Sequence, residues 1–410
     1  MGGVFSPLDE ALGLLSGSLS PQLWEGLVRL GSRLSFAQAV DELAFFWKVD
    51  VSDETARRAT EAAGAAYEAV QAAQCASLRT DLPEPPQGPA VQQLSLDGVL
   101  VHATDGEWVE VKTAAIGTVG TRIGRDGEPE AHTSELSYFC RAAEVERFTP
   151  ALLVEIERRG TQTAGVVVSV NDGAAWIQGV VDHYRRDAVR ILDFAHATEH
   201  LAQAAAAVYG RDTPALHAWM DQQAEALKHK GPATVLAALR ALPVAEADNP
   251  AAAGELRAET LAYFLARLDQ LQYPAFVAAG YPIGSGAVES AGKLVIQARL
   301  KGSGMRWQRT NLNPMVALRT IVCSGRWTEA WPRIRQHLRE QEAHRRHTRW
   351  QQRQPAPAPA PTPPAPDLAL LRSAAKKLRS RPAHPPRVEE GRPTADHPWR
   401  RPLRRLPRAS

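Results

Sequence analysis

Three acidic residues, far apart in the sequence, occupy positions suited to binding divalent metal ions. Asp97 and Asp172 each end a strand-like run, and Glu289 lies in the early turns of a helix that opens with Gly284-Ser-Gly286. Carboxylates from separate elements can hold two Mg²⁺ ions about 3.5–4 Å apart, which activate a water or a 3′-hydroxyl and neutralise charge on a reacting phosphate. We therefore predict a three-carboxylate phosphoryl-transfer site that binds Mg²⁺ or Mn²⁺, with Asp97 bridging both ions.

Each acid also has a plainer interpretation. An Asp-Gly pair after a strand is usually a turn, and Glu289 could serve as a helix-dipole or capping partner of the glycine turn before it. The order of the acids and their positions at the ends of elements favour the metal site. Asp105 and Asp126, which also precede glycines, are predicted to lie in hairpin turns.

A second group of titratable residues follows the predicted strand Ala188–Phe194. For Asp193 and His196 we favour a structural or supporting role, with Asp193 as a helix N-cap. The stretch from His196 to His200 also fits the H-x-x-E-H pattern of zinc peptidases, with Glu199 as base. Zinc would need a third protein ligand, for which Glu255 or Glu259 is available.

A dense basic segment follows Glu289 and contains one tryptophan. Arginine with an interleaved aromatic residue suits DNA phosphates and unpaired bases, whereas the alternative is a solvated basic face. The predicted DNA-binding residues are Arg299, Lys301, Arg306, Trp307 and Arg309, with Arg319 close behind and open to interpretation as a salt-bridge partner.

The order of predicted elements divides the chain into four segments. Residues 1–79 form a small all-α domain, either a helix-turn-helix or an ordinary helical bundle, with Ser52 capping one helix, and residues 80–90 form a linker. Residues 91–349 form an α/β domain with a helical insertion at about 213–275. Three strands in meander order are predicted at Gln93–Asp97, Val99–His102 and Trp108–Gly117. A helix, a buried strand, the second acid and a later helix follow, which is the order expected of an RNase H-like domain. Residues 350–410 are rich in Pro, Ala and Arg and are predicted to be disordered.

The composition narrows the class of protein. Residues 350–410 contain 13 Lys/Arg and 4 Asp/Glu, a net +9, which leaves −6 for the rest of a chain whose net charge is +3. Such a basic arm attracts nucleic acid. The three cysteines form no CxxC pair, which argues against a disulfide framework and a cysteine zinc site. With no signal peptide and no apolar run of about 18 residues, we expect a soluble, cytoplasmic, nucleoid-associated protein and no membrane partner.

Several motifs, in order, resemble the ISKra4 family of bacterial DDE transposases. The resemblance covers roughly residues 5–332. It rests on Ser6–Leu14, Asn171–Trp176, Ile191–Leu201, Ile283–Ser290, Leu294–Trp307, Asn313–Arg319 and Arg326-Trp327.

The resemblance implies an RNase H-like core and divalent-metal DNA cleavage and strand transfer at insertion-sequence ends. It assigns Asp97, Asp172 and Glu289 as the triad, and it makes Asp193 and His196 similar to an aspartate-x-x-histidine signature that follows the second acid in related transposases. The expected partners are element-end and target DNA, bound by a homo-oligomer. Relatives carry a cysteine-rich module ahead of the Pro-Leu-Asp-Glu segment, which is expected to be missing here. The alternative is an inactive or repurposed copy that binds DNA without cutting it.

Overall fold

The computed structural model describes residues 19–124 and 127–353, together with residues 369, 372, 373, 376, 388, 389 and 391–393. The first of two compact units ends at Arg346 and contains the whole candidate site. In the second unit, two-residue strands Val388–Glu389 and Arg392–Pro393 pair antiparallel. The predictions for Asp126, for most of the tail and for the first 18 residues lie outside the described part of the chain.

A mixed, five-stranded open sheet forms the centre of the first unit, so the α/β class is confirmed. Its spatial order is β3-β2-β1-β4-β5, in which β1 to β3 are antiparallel neighbours and β4 and β5 continue parallel to β1. The strands are β1 Val91–His102, β2 Trp108–Ile123, β3 Pro129–Arg141, β4 Val166–Asn171 and β5 Val189–Leu192.

Helices precede, separate and follow the strands. In chain order they are α1 Pro21–Gly31, α2 Phe36–Trp47, α3 Asp53–Asp81, α4 Val145–Arg158, α5 Ala175–Tyr184, α6 Phe194–Tyr209, α7 Pro214–His229, α8 Pro232–Arg240, α9 Pro250–Leu265, α10 Tyr273–Ala278, α11 Gly286–Ala291, α12 Ala298–Leu300, α13 Arg309–Cys323 and α14 Trp327–Arg353. A π-helical stretch, Gly292–Gln297, joins α11 to α12. The prediction that residues 213–275 are nearly all helical is confirmed by α7 to α10. Among the described helices, none combines the length and apolar character needed to cross a bilayer.

The alternation of side chains along β1 decides which helices cover each face of the sheet. Leu94 and Leu96 point to the face covered by α4 and α5. Val99 and Val101 point to the opposite face, where α11 and α13 pack. An odd-numbered residue of β1 therefore lies on the face of α11.

The N-terminal helices share a core with α13 and α14. Leu27 of α1, Leu43 of α2 and the alanines of α3 pack with the apolar residues of these two late helices. Gly64 of α3 lies so close to α13 that a Cβ there would be 2.2 Å from the carbonyl oxygen of Pro314. Ser52 caps α3, as predicted. The helix-turn-helix function remains a prediction.

The strand predictions need two corrections. Gln93–Asp97 and Val99–His102 were expected to be separate strands, but they form the single strand β1. Gly98 does not break it, because its backbone continues the ladder opposite Lys112. Pro129–Arg141 was not predicted, yet it forms the third strand of the meander.

Candidate active site

Asp97 lies inside β1 rather than at its end, which corrects the predicted position. It pairs with Thr113 of β2 in the antiparallel ladder. Its odd number puts it on the face of β1 that α11 covers. The Gly98 N–H donates a hydrogen bond to Asp97 Oδ1 at 2.7 Å.

Asp172 directly follows β4, as predicted, and β4 lies beside β1 in the sheet. The parallel ladder of the two strands ends at the pair Gln93–Val168, before either acid. Beyond it the Leu96 N–H donates to the side-chain oxygen of Asn171. The charge of Asp172 acts on Asp97, since it contributes to the raised pKa of that carboxyl.

The turn that carries Asp172 is held by α9. The Tyr263 hydroxyl donates to the Asp172 carbonyl at 2.7 Å, and Arg267 donates to the Gly173 carbonyl at 3.0 Å. Gly173 has a φ of +80°, and a Cβ there would be 2.6 Å from Arg267 Nε. Only glycine suits both the left-handed backbone and the close approach of this arginine. The Asp172 carboxylate itself accepts from the Ala174 N–H at 2.9 Å.

Glu289 lies on α11, as predicted, beside the first two acids. Val288 and Ala291 of the same helix are buried in the core that contains Val99, which fixes α11 over β1. The Glu289 side chain is 62% exposed and pairs with Lys293 Nζ at 2.5 Å, one turn further on. The carboxylate is thus held on the surface by an ion pair that water screens.

The electrostatics of Asp97 link the three acids. Burial is the largest cause that raises the pKa of Asp97, and the negative charges of Asp172, Glu110 and Glu289 raise it further, against the lowering effect of the Gly98 N–H. The site therefore has an excess of negative charge, which a divalent cation would neutralise.

Asp193 connects the end of β5 to the loop that precedes α11. Its Oδ2 accepts from the His196 N–H at 3.3 Å and caps α6, as predicted, and its Oδ1 accepts from the Ser285 N–H at 2.9 Å. The Phe194 N–H donates to the carbonyl of Ile283 in the same loop. Asp193 therefore fixes the glycine-rich turn from which the Glu289 helix begins.

His196 and His200 lie one turn apart on α6, and their Nε2 atoms are 3.3 Å apart. The His200 ring stacks on Tyr263, with ring centroids 4.2 Å apart. Burial, followed by the nearby charges of His196 and Arg267, lowers the pKa of His200. This packing fits the predicted structural role of His196.

The predicted metal sites can be tested by the grouping of their ligands. Within residues 19–124 and 127–353, no three His, Cys, Asp or Glu side chains stand close enough together to hold a metal ion. This applies to the zinc-peptidase pattern and to the three acids. Asp97 and Asp172 still supply the hard oxygen donors that Mg²⁺ prefers. Glu289 would join them only after leaving Lys293 and rotating inward.

The predicted DNA-binding residues divide into a buried pair and an exposed set. Arg299 is 2% exposed and donates to the Gly31 carbonyl, and Trp307 is 6% exposed and donates to the Leu300 carbonyl. Both side chains are therefore covered by the surrounding fold, and their contact with DNA stays a prediction. Lys301, Arg306 and Arg309 are exposed, and Arg309 pairs with Asp105 in the β1–β2 turn.

Sequence reasoning missed the residues that support the acids. Tyr263 lies on α9 and Arg267 lies in the turn just after it, and only the fold brings them to the Asp172 turn. Glu110 lies in β2, inside the predicted strand Trp108–Gly117, but nothing in the sequence indicated that its charge would act on Asp97.

Comparison with models of known protein families and with curated protein sequences gives no match.

Proposed function

We propose that this protein is a DDE transposase, which uses divalent metal ions to cut DNA at insertion-sequence ends and to join the freed ends to target DNA. The proposal includes an RNase H-like core, which the order β3-β2-β1-β4-β5 and the central position of β1 favour.

The observation that carries the proposal is the excess of negative charge around Asp97. Asp172, which follows the strand next to β1, contributes to the raised pKa of Asp97, and carboxylate oxygens are the donors that a hard cation takes. The charge of Glu289 reaches the same place, since it contributes to the raised pKa of Asp97.

Different residues would bind the metal and hold the metal-binding turn in place. Asp97, Asp172 and Glu289 would hold Mg²⁺ or Mn²⁺, which activates the attacking oxygen and stabilises charge on the phosphate. Tyr263 and Arg267 fix the Asp172 turn by hydrogen bonds to its carbonyl groups.

DNA would approach along the exposed basic residues after α12. Lys301, Arg306 and Arg309 lie on the surface and suit phosphate contacts. Such contacts would orient the duplex without reading its sequence.

The test uses duplexes that carry the DNA flanking the gene on each side. With Mg²⁺ or Mn²⁺, the wild type should nick these duplexes and join the product to a second DNA. Asp97→Asn, Asp172→Asn and Glu289→Gln should each abolish cleavage and leave duplex binding, measured by mobility shift, within about a factor of two. Asp221→Asn, which changes an exposed aspartate of α7, is the matched control and should cleave normally.

Cleavage that persists in Asp97→Asn would overturn the triad. A second candidate function, DNA binding without cleavage, is favoured by the ion pair that holds Glu289 on the surface. Wild-type protein that binds these duplexes but never cleaves them, with either metal, would support that candidate.

A further inference from the structure

A cavity of about 530 Å³ lies beside the basic segment, and none of the three acids is among its lining residues. It is bounded by the start of α2, by α3, by the β1–β2 turn and by the loop between α12 and α13. Its volume is in the range of sites for small organic ligands. Its lining includes Phe36, Arg299, Met305, Arg306 and Gln308.

The wall of the cavity contains a buried cation with an unused donor. The Arg299 guanidinium lies 4.7 Å from the ring centroid of Phe36 and 5.1 Å from that of Trp307. Its Nε donates to the Gly31 carbonyl, but its buried Nη2 has no hydrogen-bond partner among the described residues. Nη2 itself has almost no accessible surface, so a ligand acceptor reaches it only when the wall of the cavity moves slightly. A buried, charged donor without an acceptor is unfavourable, which favours that contact.

The rest of the lining combines positive charge with apolar surface. Arg57 is neutralised by its ion pairs with Glu54 and Glu61, so the excess charge comes from Arg299 and Arg306. Arg306 is exposed, while Phe36 and Met305 offer half-buried apolar surface. Gln308 is exposed at the start of α13, and its side chain makes no cap hydrogen bond there.

We propose that this cavity receives one unpaired nucleotide of a DNA strand. An acceptor atom of the base accepts a hydrogen bond from Arg299 Nη2. The flat base lies against Phe36 and Met305, and the phosphate forms an ion pair with Arg306. The apolar lining and the volume exceed what a phosphate alone would need. The proposal rests on the proposed function only in taking DNA as the ligand, and it does not require cleavage.

The experiment compares two duplexes bound by the full chain in EDTA, where no cleavage occurs. One is fully paired, and the other is identical except for one additional unpaired 2-aminopurine nucleotide. The wild type should bind the second at least tenfold more tightly, and the 2-aminopurine fluorescence should change on binding. Free 2-aminopurine deoxynucleoside monophosphate is added as a competitor to test a free nucleotide as the source of the same chemistry.

Two variants connect the preference to the cavity. Gln308→Trp fills the mouth from an exposed position and should reduce the ratio of the two affinities to about one. Thr310→Trp adds the same bulk to an exposed residue of α13 outside the lining and should keep the wild-type ratio. Arg299→Lys keeps the charge but removes the Nη2 donor, and it should lower the ratio if thermal melting shows a folded protein.

Equal wild-type affinity for the two duplexes would overturn this proposal and leave the cleavage proposal intact. An unchanged ratio in Gln308→Trp would also overturn it, because the preference would then arise elsewhere. A wild-type protein that fails to cleave but keeps its tenfold preference for the duplex with the unpaired nucleotide would overturn only the transposase proposal.

Discussion

At the scale of single residues, Asp97 combines a partly buried position with several nearby negative charges. Its neighbours Asp172, Glu110 and Glu289 all carry the same sign. A group that existed only to stabilise the fold would be paired with a cation, as Glu110 is with Lys112. Carboxylates with a perturbed pKa are frequent at functional sites, and the raised pKa of Asp97 supports the candidate site independently of the resemblance.

The first prediction concerns the stability of Asp97→Asn. The pKa of Asp97 is higher in the folded protein than its ordinary value of 3.8. Such a group stabilises the fold only while protonated, and this contribution is lost as the pH rises through the raised pKa. Asp97→Asn should therefore raise Tm at about pH 7, and the gain should shrink as the pH falls towards 3.8.

Thermal unfolding followed by circular dichroism at several pH values provides the measurement. Asp221→Asn is the control, because its aspartate is exposed on α7. A Tm of Asp97→Asn at or below the wild type near neutral pH would contradict the electrostatic account.

The second prediction concerns metal binding without any DNA. An ion that binds only the folded state stabilises it by about 1.4 kcal/mol when present at ten times its Kd. Mg²⁺ or Mn²⁺ should therefore raise the Tm of the wild type, and Asp97→Asn and Asp172→Asn should lose this rise. Ca²⁺ should also raise Tm, since it takes the same oxygen ligands. An equal rise of Tm in Asp97→Asn would show that the metal binds elsewhere on the protein.

At the scale of elements, Asp193 joins two parts of the fold that are about ninety residues apart. One carboxylate oxygen caps α6 and the other holds the Ser285 N–H before α11. The helix α11 begins directly after this contact and continues without a break through Gly292–Gln297 into α12. Its position depends on this contact and on the packing of Val288 and Ala291.

The third prediction separates these roles of Asp193. Asp193→Ala should lower the free energy of unfolding by about 1–3 kcal/mol, through loss of the cap and an unsatisfied Ser285 N–H. Asp193→Asn keeps one of the two acceptor oxygens, so it should restore only part of this loss. Ser52→Ala removes the cap of α3, so it should lower the free energy of unfolding by about 0.5–2 kcal/mol and leave DNA cleavage unchanged. Asp193→Ala, by contrast, should also reduce DNA cleavage. Urea unfolding and the cleavage assay together check these outcomes.

The elements also determine how much the sequence could predict. Buried runs such as β4 and capped helices such as α3 have strong local signals, and both were predicted. The strand β3 was missed because polar residues fill much of its first half, which extends beyond the core. The burial of Arg299 and Trp307 could not be predicted from the sequence, because only the tertiary fold encloses them between α2 and α13. Tyr263 and Arg267 were not predicted, because their partners are backbone carbonyl groups.

At the scale of the whole molecule, the helices before and after the sheet form one body with it. A buried ion pair contributes to this, since Arg326 Nη1 lies 2.8 Å from a Glu155 oxygen. Glu155 is on α4, next to the sheet, and Arg326 lies between α13 and α14. The pair therefore connects the sheet layer to the helices that pack on α1 to α3.

The fourth prediction is that Glu155→Ala destabilises the protein by about 3–5 kcal/mol, because it leaves the Arg326 charge buried without its partner. Glu130→Ala, which breaks an exposed pair with Arg122, should cost about 0–1 kcal/mol. Denaturant unfolding of the two variants gives the comparison. Equal, small losses would mean that water reaches the Arg326 side chain.

The fifth prediction concerns the basic tail, whose charge is evident from the sequence although most of it lies outside the described residues. The excess of Lys and Arg after residue 350 should attract DNA phosphates regardless of sequence. Deleting residues 355–410 should weaken binding to unrelated duplex DNA, and the slope of log affinity against log salt should flatten by about 0.9 for each phosphate that is no longer neutralised. The measurement is fluorescence anisotropy at several salt concentrations. A deletion that changes affinity by the same factor at every salt concentration would exclude phosphate binding by the tail, because a smaller release of counterions must appear in the slope.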